Sequence, residues 1–530
     1  MRPSLASLAN HVFDVAVVGG GINGASAAQH AAAEGYSVLI VDKADFGSGA
    51  TSRSSRLLHC GLRYFEAPSP LRHFLSHPAQ FAVALRMARQ AMRARHEMVR
   101  TAGARTRAMT FLFPIFENGP YSPWQTDLAF RLLGSLAPKD VPLDYRRLSP
   151  DQAADNPLVA ALAQREPLRS VAAFTEYQLD WPERICMDAV LDAERMGAVA
   201  RNYTTAELVA DRNGQWEIRL TDVEGREESV FVKATAILNM AGIWIDHVAK
   251  TARTGTPRKT FGTKGAHIVV QLPAECRDFG IATTNSLKEP FYCIPWHGRH
   301  YIGPTETAFD GDYDNVSANE RDVAFLLEET NAILPGLKIG RSDIQSTWAG
   351  VRPLTYDPAL PNGKRSRQIH DLGRSGLNRV FALTAGPVMT HRSAGREVAK
   401  RLKSIVKPAA SPRPLSHKPR DFPENTNTPP LIDGDPRIRL GHLRACASEE
   451  QARTLTDVLY RRTGVGWRHD FTDAEITRAA DIMALELGWS AAERNVEIER
   501  FKSEVGHLFG RPGAAGLSQS DQAGALEAGQ

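Results

Sequence analysis

The spacing of apolar residues changes several times along the chain, and each change predicts an element. Residues 13–18 form a Val-rich apolar run interrupted by Asp14, followed by a Gly-rich turn and an Ala-rich stretch that ends at Gly35. A second apolar run, residues 37–41, comes next. Short continuous apolar runs bounded by turns suit strands buried on both faces, so the opening reads as strand, turn, helix, strand. Gly35 suits the left-handed position that closes a helix. Further on, "DWPERICMDAVLDAERMGAVARNY" predicts a helix entered after Pro182 and closed by Gly197, then a strand. "RNGQWEIRLTDVEGREESVFVKATAILNMAG" reads as a meander with turns at Asn213–Gly214 and "EGRE". Its last strand, 234–239, runs into the small pair Ala241–Gly242. "TKGAHIVVQL", "EPFYCIPW" and "RHYIGPTET" alternate or run apolar, as strands of a separate sheet would. Residues 407–436, rich in Pro, Asp and Asn, read as a linker. Residues 437–510 read as helical, with "TLTDVLYRRTGVGW" and "TRAADIMALELGW" as amphipathic units, and 511–530 as a disordered Gly/Ala/Ser/Gln tail.

The first turn carries chemistry. "GGGING" supplies G-x-G-x-x-G at Gly19, Gly21 and Gly24, and Asp42 ends the second strand at the spacing of a dinucleotide fold. In that pattern the glycines permit a tight turn, close backbone approach to a pyrophosphate, and close helix–strand packing. The helix start offers N–H groups to phosphate, and an acidic residue such as Asp42 accepts from the ribose. The fingerprint alone does not separate FAD from NAD. Its position near the start of the chain and the segment "GSGATSRSSRLLHCGLRYFE" favour FAD, with Thr51, Ser54 and Ser55 as hydroxyls for the pyrophosphate and flavin. Gly242 and Gly386 mark later turns where backbone can approach the same cofactor. The stretch from Thr384 to Arg392 therefore reads as the far wall of one site rather than a second nucleotide site.

Composition limits the alternatives. A chain of 530 residues holds two or three domains, and a net charge of +4 gives no argument for nucleic acid. Five scattered cysteines without CxxC spacing exclude a disulfide framework or zinc ribbon and suit a reducing compartment. No apolar run reaches the roughly 18–20 residues of a spanning helix. The expectation is a cytoplasmic protein, with peripheral contact to a membrane left open. Arg86, Arg89, Arg93 and Arg100 recur at helical spacing and suit a solvated face, with anionic lipid as the alternative.

With "VVGGGINGA", "ATSRSSRLLHCGLRYFE", "TEYQLDWPERICMDAVLDAERMGA", "TKGAHIVV", "WAGVRPL" and "LYRRTGVGW" in order, the chain resembles the FAD-dependent, quinone-linked glycerol-3-phosphate dehydrogenases over nearly its whole length. The resemblance implies an α/β fold with interleaved α+β parts. A glutathione-reductase-like FAD domain and an antiparallel-sheet substrate domain would fill residues 1–406, and a helical cap domain residues 437–510. It implies oxidation of a secondary alcohol in a small anionic substrate by hydride transfer to flavin, with a quinone as electron acceptor and oxygen as the alternative. A homodimer is compatible with it. Position by position, Arg63, Tyr64 and Arg352 fall on substrate positions, His59 and His267 beside the flavin, and Arg392, Lys264 and Thr305 are weaker candidates. Arg352, His59 and His267 are the catalytic candidates. Cys60 stands where the family has glycine and reads as a small buried residue. The family turn Gly-Gly-Lys-Leu-Thr-Thr-Tyr-Arg is "AGPVMTHR" here, so Pro387 replaces a pocket lysine. Glycerol 3-phosphate is the first expectation, with His391 or Arg392 covering the lost charge. Another phosphate ester, a phosphonate or a hydroxy acid is the second, and a flavin-binding protein without turnover is the third.

Overall fold

The computed structural model describes residues 2–65, 70–136, 138, 140–163, 167–253, 255–360, 363–422 and 427–510. The first apolar run becomes the strand Val12–Val18, flanked in parallel by Val38–Val41 and Val230–Asn239. Val199–Arg201 extends the sheet on one side and Val380–Thr384 on the other, both parallel to their neighbours. Helices Ile22–Ala33, Pro182–Arg195 and His391–Leu402 cover one face. The helix Ile245–Ala252 and the hairpin Thr204–Arg212/Gln215–Asp222 cover the other. Burial on both sides explains why these strands are apolar without alternation. Asn213 and Gly214 turn the hairpin with φ of 53° and 82°, the left-handed pair that such a two-residue turn requires.

The second sheet holds Thr260–Val270 beside Ile344–Thr355, then runs through Arg299–Gly303, Pro290–Trp296 and Phe279–Thr284 to Thr106–Phe116 and Leu168–Leu179. It is antiparallel except where Phe279–Thr284 pairs in parallel with Thr106–Phe116. Helices Leu440–Ser448, Asp473–Leu487 and Ala491–Phe509 form the C-terminal part.

Two readings change. "TLTDVLYRRTGVGW" is no single amphipathic helix: it holds a π-helical turn, Asp457–Arg462, with all six residues buried, and a short turn at Val465–Trp467. Charged side chains inside the protein defeat a reading based on apolar periodicity. Within 407–436, Ala410 and Arg413 donate backbone N–H groups to the carbonyls of Gly35 and Ala33, at 3.0 and 2.7 Å. Pro430–Ile432 pairs with Asp435–Arg439 as a hairpin, so much of this segment is fastened to the domains it connects. The tail at 511–530 lies outside the described residues.

Candidate active site

A cleft of about 1650 Å³ opens where the parallel strands end. Gly19, at φ +106°, crosses the end of Val230–Asn239, and a Cβ there would lie 2.6 Å from the Met240 carbonyl. A Cβ at Gly24 would lie 1.9 Å from the Gly19 oxygen, so this glycine sets the helix against the turn. Gly21 differs: its Cβ would meet only the Thr51 Oγ1, at 3.5 Å, leaving the helix start open to the cleft. Asp42 sits on the cleft wall and accepts from the N–H groups of Gly20 at 2.6 Å and Ala44 at 2.8 Å. Burial pushes its carboxyl up to about 6, and each oxygen keeps a lone pair for a ligand hydroxyl. Gly242, at φ +60°, has nothing within 4 Å of a Cβ and also lines the cleft. Asn23 donates to the Gly386 carbonyl at 2.9 Å, while its buried Oδ1 has no partner. A pocket of this size, with an open glycine-led helix start, an acidic wall and an orphaned amide oxygen, fits an adenine dinucleotide.

The predicted hydroxyls divide. Thr51 lines the cleft but accepts from the Ile22 N–H at 3.0 Å, capping the helix start. Ser54 and Ser55 do not line the cleft. Ser54 accepts from the Arg56 N–H at 3.2 Å, and Ser55 lies 3.0 Å from His267 Nε2. Gly24 likewise acts through packing, whereas Gly386 lines the wall as expected.

The far end of the cleft reaches Pro353, Gly386 and Val388, and Arg352 adjoins it. Register places Thr263, Gly265 and His267 opposite Arg352, Gly350 and Trp348, all on one sheet face. His267 stacks on Trp348 with ring centroids 4.8 Å apart. A Cβ on Gly265 would lie 2.4 Å from Arg352 Nη2, and one on Gly350 would lie 2.7 Å from the Arg53 Cβ. The two glycines are thus the floor on which two guanidinium-bearing side chains lie. Burial pulls the Arg352 pKa down to about 10 against the pull of Glu306, with Arg365 and Arg63 adding repulsion. Its Nη2 reaches the Thr305 carbonyl at 3.5 Å, and its buried Nη1 has no partner among the described residues. Arg365 pairs with Glu306 and, with Arg63, acts on Tyr64. Tyr64 meets His59 edge-on at 5.4 Å. Burial, with a smaller push from Arg63, holds His59 near pKa 3. Burial and Arg352 hold His267 well below its ordinary value, so both imidazoles are neutral. The Nδ1 atoms of both histidines are buried without a partner among the described residues.

Four candidates are committed elsewhere. Arg392 is turned away from the cleft: it donates to Thr101 and to the Glu97 carbonyl on the helix Pro78–Thr101. His391 holds the Val388 carbonyl through Nδ1 at 2.8 Å, so neither residue replaces the lost lysine. Lys264 is paired with Asp322 at 2.6 Å, and Thr305 accepts from the Ala266 N–H at 2.9 Å. Cys60 is fully buried, with its thiol pKa raised well above normal by burial and Glu176, as a packing residue should be.

Sequence reasoning missed Asn23, Arg53 and Arg365. Asn23 occupies a free position of the glycine fingerprint, and Arg365 lies in a loop with no periodicity. It also missed Asp45, three residues beyond Asp42. Arg462 grips Asp45 with two bonds of 2.7 Å, and Arg461 adds a third of 2.7 Å. Burial pushes the Asp45 carboxyl up, but Arg462 and Arg461 overcome it and hold it near 2. This contact joins the dinucleotide loop to the C-terminal part. Arg453, Arg500 and His507 from that part complete the cleft wall.

Comparison with known proteins agrees with this geometry. Residues 14–401 match the family described as FAD dependent oxidoreductase, and residues 424–494 match the C-terminal domain of alpha-glycerophosphate oxidase. A glycerol-3-phosphate dehydrogenase of Synechocystis is 26% identical over 93% of this chain and 96% of its own. An aerobic glycerol-3-phosphate dehydrogenase of Staphylococcus haemolyticus is 28% identical over 78% of this chain and 72% of its own. The fold is that of the glycerol-3-phosphate dehydrogenase from Bacillus halodurans solved with FAD, at TM-score 0.69 and 20% identity over 95% and 96% of the two chains. The chain therefore belongs to the FAD-dependent oxidoreductase family, with FAD as the cofactor that its cleft is shaped to hold.

Proposed function

We propose that this enzyme oxidises the secondary alcohol of sn-glycerol 3-phosphate to dihydroxyacetone phosphate. The observation that carries this reading is the Arg352 guanidinium, laid over Gly265 beside the far end of the cleft with Nη1 buried and unpartnered. Such a group is costly to leave unmet, and a phosphate dianion meets it with charge-assisted hydrogen bonds. The curated relatives that carry glycerol-3-phosphate dehydrogenase names support the choice of substrate.

FAD supplies the hydride acceptor when bound, and the protein's share is orientation and charge. Arg352, with Arg63 and Tyr64 nearby, fixes the phosphate and so the direction of the carbinol. His59 and His267 start neutral, and Nδ1 of either offers a lone pair to the hydroxyl proton. A substrate dianion nearby raises both imidazole pKa values toward the range where a base works. We assign the electrons to a quinone. The exposed row Arg86, Arg89, Arg93 and Arg100, with exposed Leu75, Val83 and Trp124, suits contact with an anionic membrane surface. Among the described residues no helix is long and apolar enough to cross a membrane.

A second reading keeps the reaction and changes the substrate. Pro387 starts the turn at the flavin end without an ammonium, and His391 and Arg392 are engaged elsewhere. A different anionic alcohol, such as another phosphate ester, a phosphonate or a hydroxy acid, then suits the remaining cations. Anaerobic flavin bleaching separates the two readings. Bleaching by one equivalent of glycerol 3-phosphate supports the first; bleaching only by another anionic alcohol selects the second. Absence of bleaching across the whole panel removes both.

A further inference from the structure

We propose that the seam between the large sheet and the C-terminal helices holds a second anion site, separate from the cofactor cleft and suited to a phosphate-bearing ligand. A cavity of about 330 Å³ opens there. Arg107, Arg277 and His297 line it from the sheet side, and Asp435, Arg437 and Arg468 from the C-terminal side. None of these residues lines the cofactor cleft.

The charges inside do not balance. Four guanidiniums face one carboxylate, and that carboxylate is already engaged. Asp435 accepts from Arg437 Nε at 2.7 Å, from its Nη2 at 2.6 Å and from its backbone N–H at 3.0 Å. Among the described residues Arg107 reaches only the exposed Asp278, at 3.4 Å. Among the described residues the side chains of Arg277 and Arg468 have no hydrogen-bond or ion-pair partner, and Arg468 Nε is buried and unsatisfied. Burial and the neighbouring Arg437 outweigh the support of Asp435 and Asp180 and lower the Arg468 pKa. His297 lies 3.5 Å from Asp180, and burial holds its pKa near 4, so it is a neutral hydrogen-bonding group. His469, also on the wall, is tied to Glu475 at 3.0 Å.

A solvated basic face needs neither a cavity nor a buried, unmet nitrogen. Planar forks converging from two sides suit a tetrahedral anion with several acceptor oxygens, and the volume admits phosphate or a small phosphate monoester. Such a ligand would join two chain segments that reach toward the reaction centre. Trp296 precedes His297 and Trp467 precedes Arg468, with their rings 5.6 Å apart. Both pack on Trp348, which stacks on His267. The seam anion thus clamps the aromatic wall behind a flavin-side histidine.

The test is calorimetric titration of the FAD-loaded full chain with inorganic phosphate and with methyl phosphate, at constant ionic strength set by chloride. Arg352→Gln removes the anion contact at the cleft end and should keep one phosphate-binding event. Arg277→Gln/Arg468→Gln should lose that event, with Kd raised about tenfold or more. Arg277 is exposed, so Arg277→Gln alone should fold normally and weaken phosphate severalfold even if the double variant does not fold. Tighter binding of methyl phosphate than of phosphate would identify a monoester as the ligand, and the reverse order would identify the free ion. The proposal is overturned if phosphate binds the wild type and the Arg277 and Arg468 variants alike. It is also overturned if Arg352→Gln alone abolishes all binding.

Discussion

The two ends of the cleft are built by different means. At the dinucleotide end the shape comes from backbone: Gly19 and Gly24 allow contacts that a single methyl group would block. At the proposed substrate end it comes from side chains brought together from three separate segments, those of Arg63, Arg352 and Arg365, over the floor left by Gly265. A backbone site tolerates almost no substitution at its few key positions. A side-chain site degrades by steps as charges and contacts are removed one at a time.

The sharpest way to break that contrast is Gly24→Ala. Its methyl group would meet backbone at 1.9 Å, and no flexible side chain can give way. The expected outcome is loss of bound FAD, read as loss of the flavin absorbance in purified protein. Retention of flavin with ordinary affinity would show that the helix can shift. Arg352→Ala should come next, lowering kcat/KM for the anionic substrate by roughly one to two decades through a lost charge-assisted contact, with flavin content unchanged. An unaltered kcat/KM would remove Arg352 from the pocket.

Gly265→Ala sharpens the comparison further, because the atom in the way is the far end of a flexible arginine. The fold and flavin should survive with little change in Tm, while KM rises about tenfold as the guanidinium is displaced. A large fall in Tm would instead place this glycine among the backbone-defined positions. The smallest effect concerns Asp42, whose carboxyl is raised to about 6 by burial. Ligand hydroxyls favour the ionised form, so FAD affinity should be full above pH 7 and weaken as pH falls through 6. Only about a tenth of the carboxyl is ionised at pH 5, which sets a weakening of up to about tenfold. Asp42→Asn should flatten this profile, and a profile left unchanged would mean that Asp42 does not titrate in contact with the cofactor.

The same contrast explains what could be read from the chain. Gly19, Gly21, Gly24 and Asp42 are legible because backbone geometry restricts residue type at fixed spacing. Ser54, Ser55 and Arg392 look equally suitable in one dimension, but a side chain's direction depends on strands and helices far away in sequence. Arg392 is spent on Thr101, and nothing near position 392 announces that partner. Arg461 and Arg462 show a further limit: adjacent arginines suggest an exposed stretch, and here both are buried around Asp45. Gly350 and Gly265 stand between the extremes. Their presence in strands hints at close approach, but only the register shows that arginines are what approach.

The tie between Asp45 and Arg462 spans most of the chain, and the cleft wall itself runs from Val18 to Leu508. On the ribosome the glycine turn emerges long before the last residues that enclose its ligand. The parallel sheet gains Val380–Thr384 only after more than two thirds of the chain has been made. Enclosing the cofactor therefore requires segments far apart in the chain to fold together first.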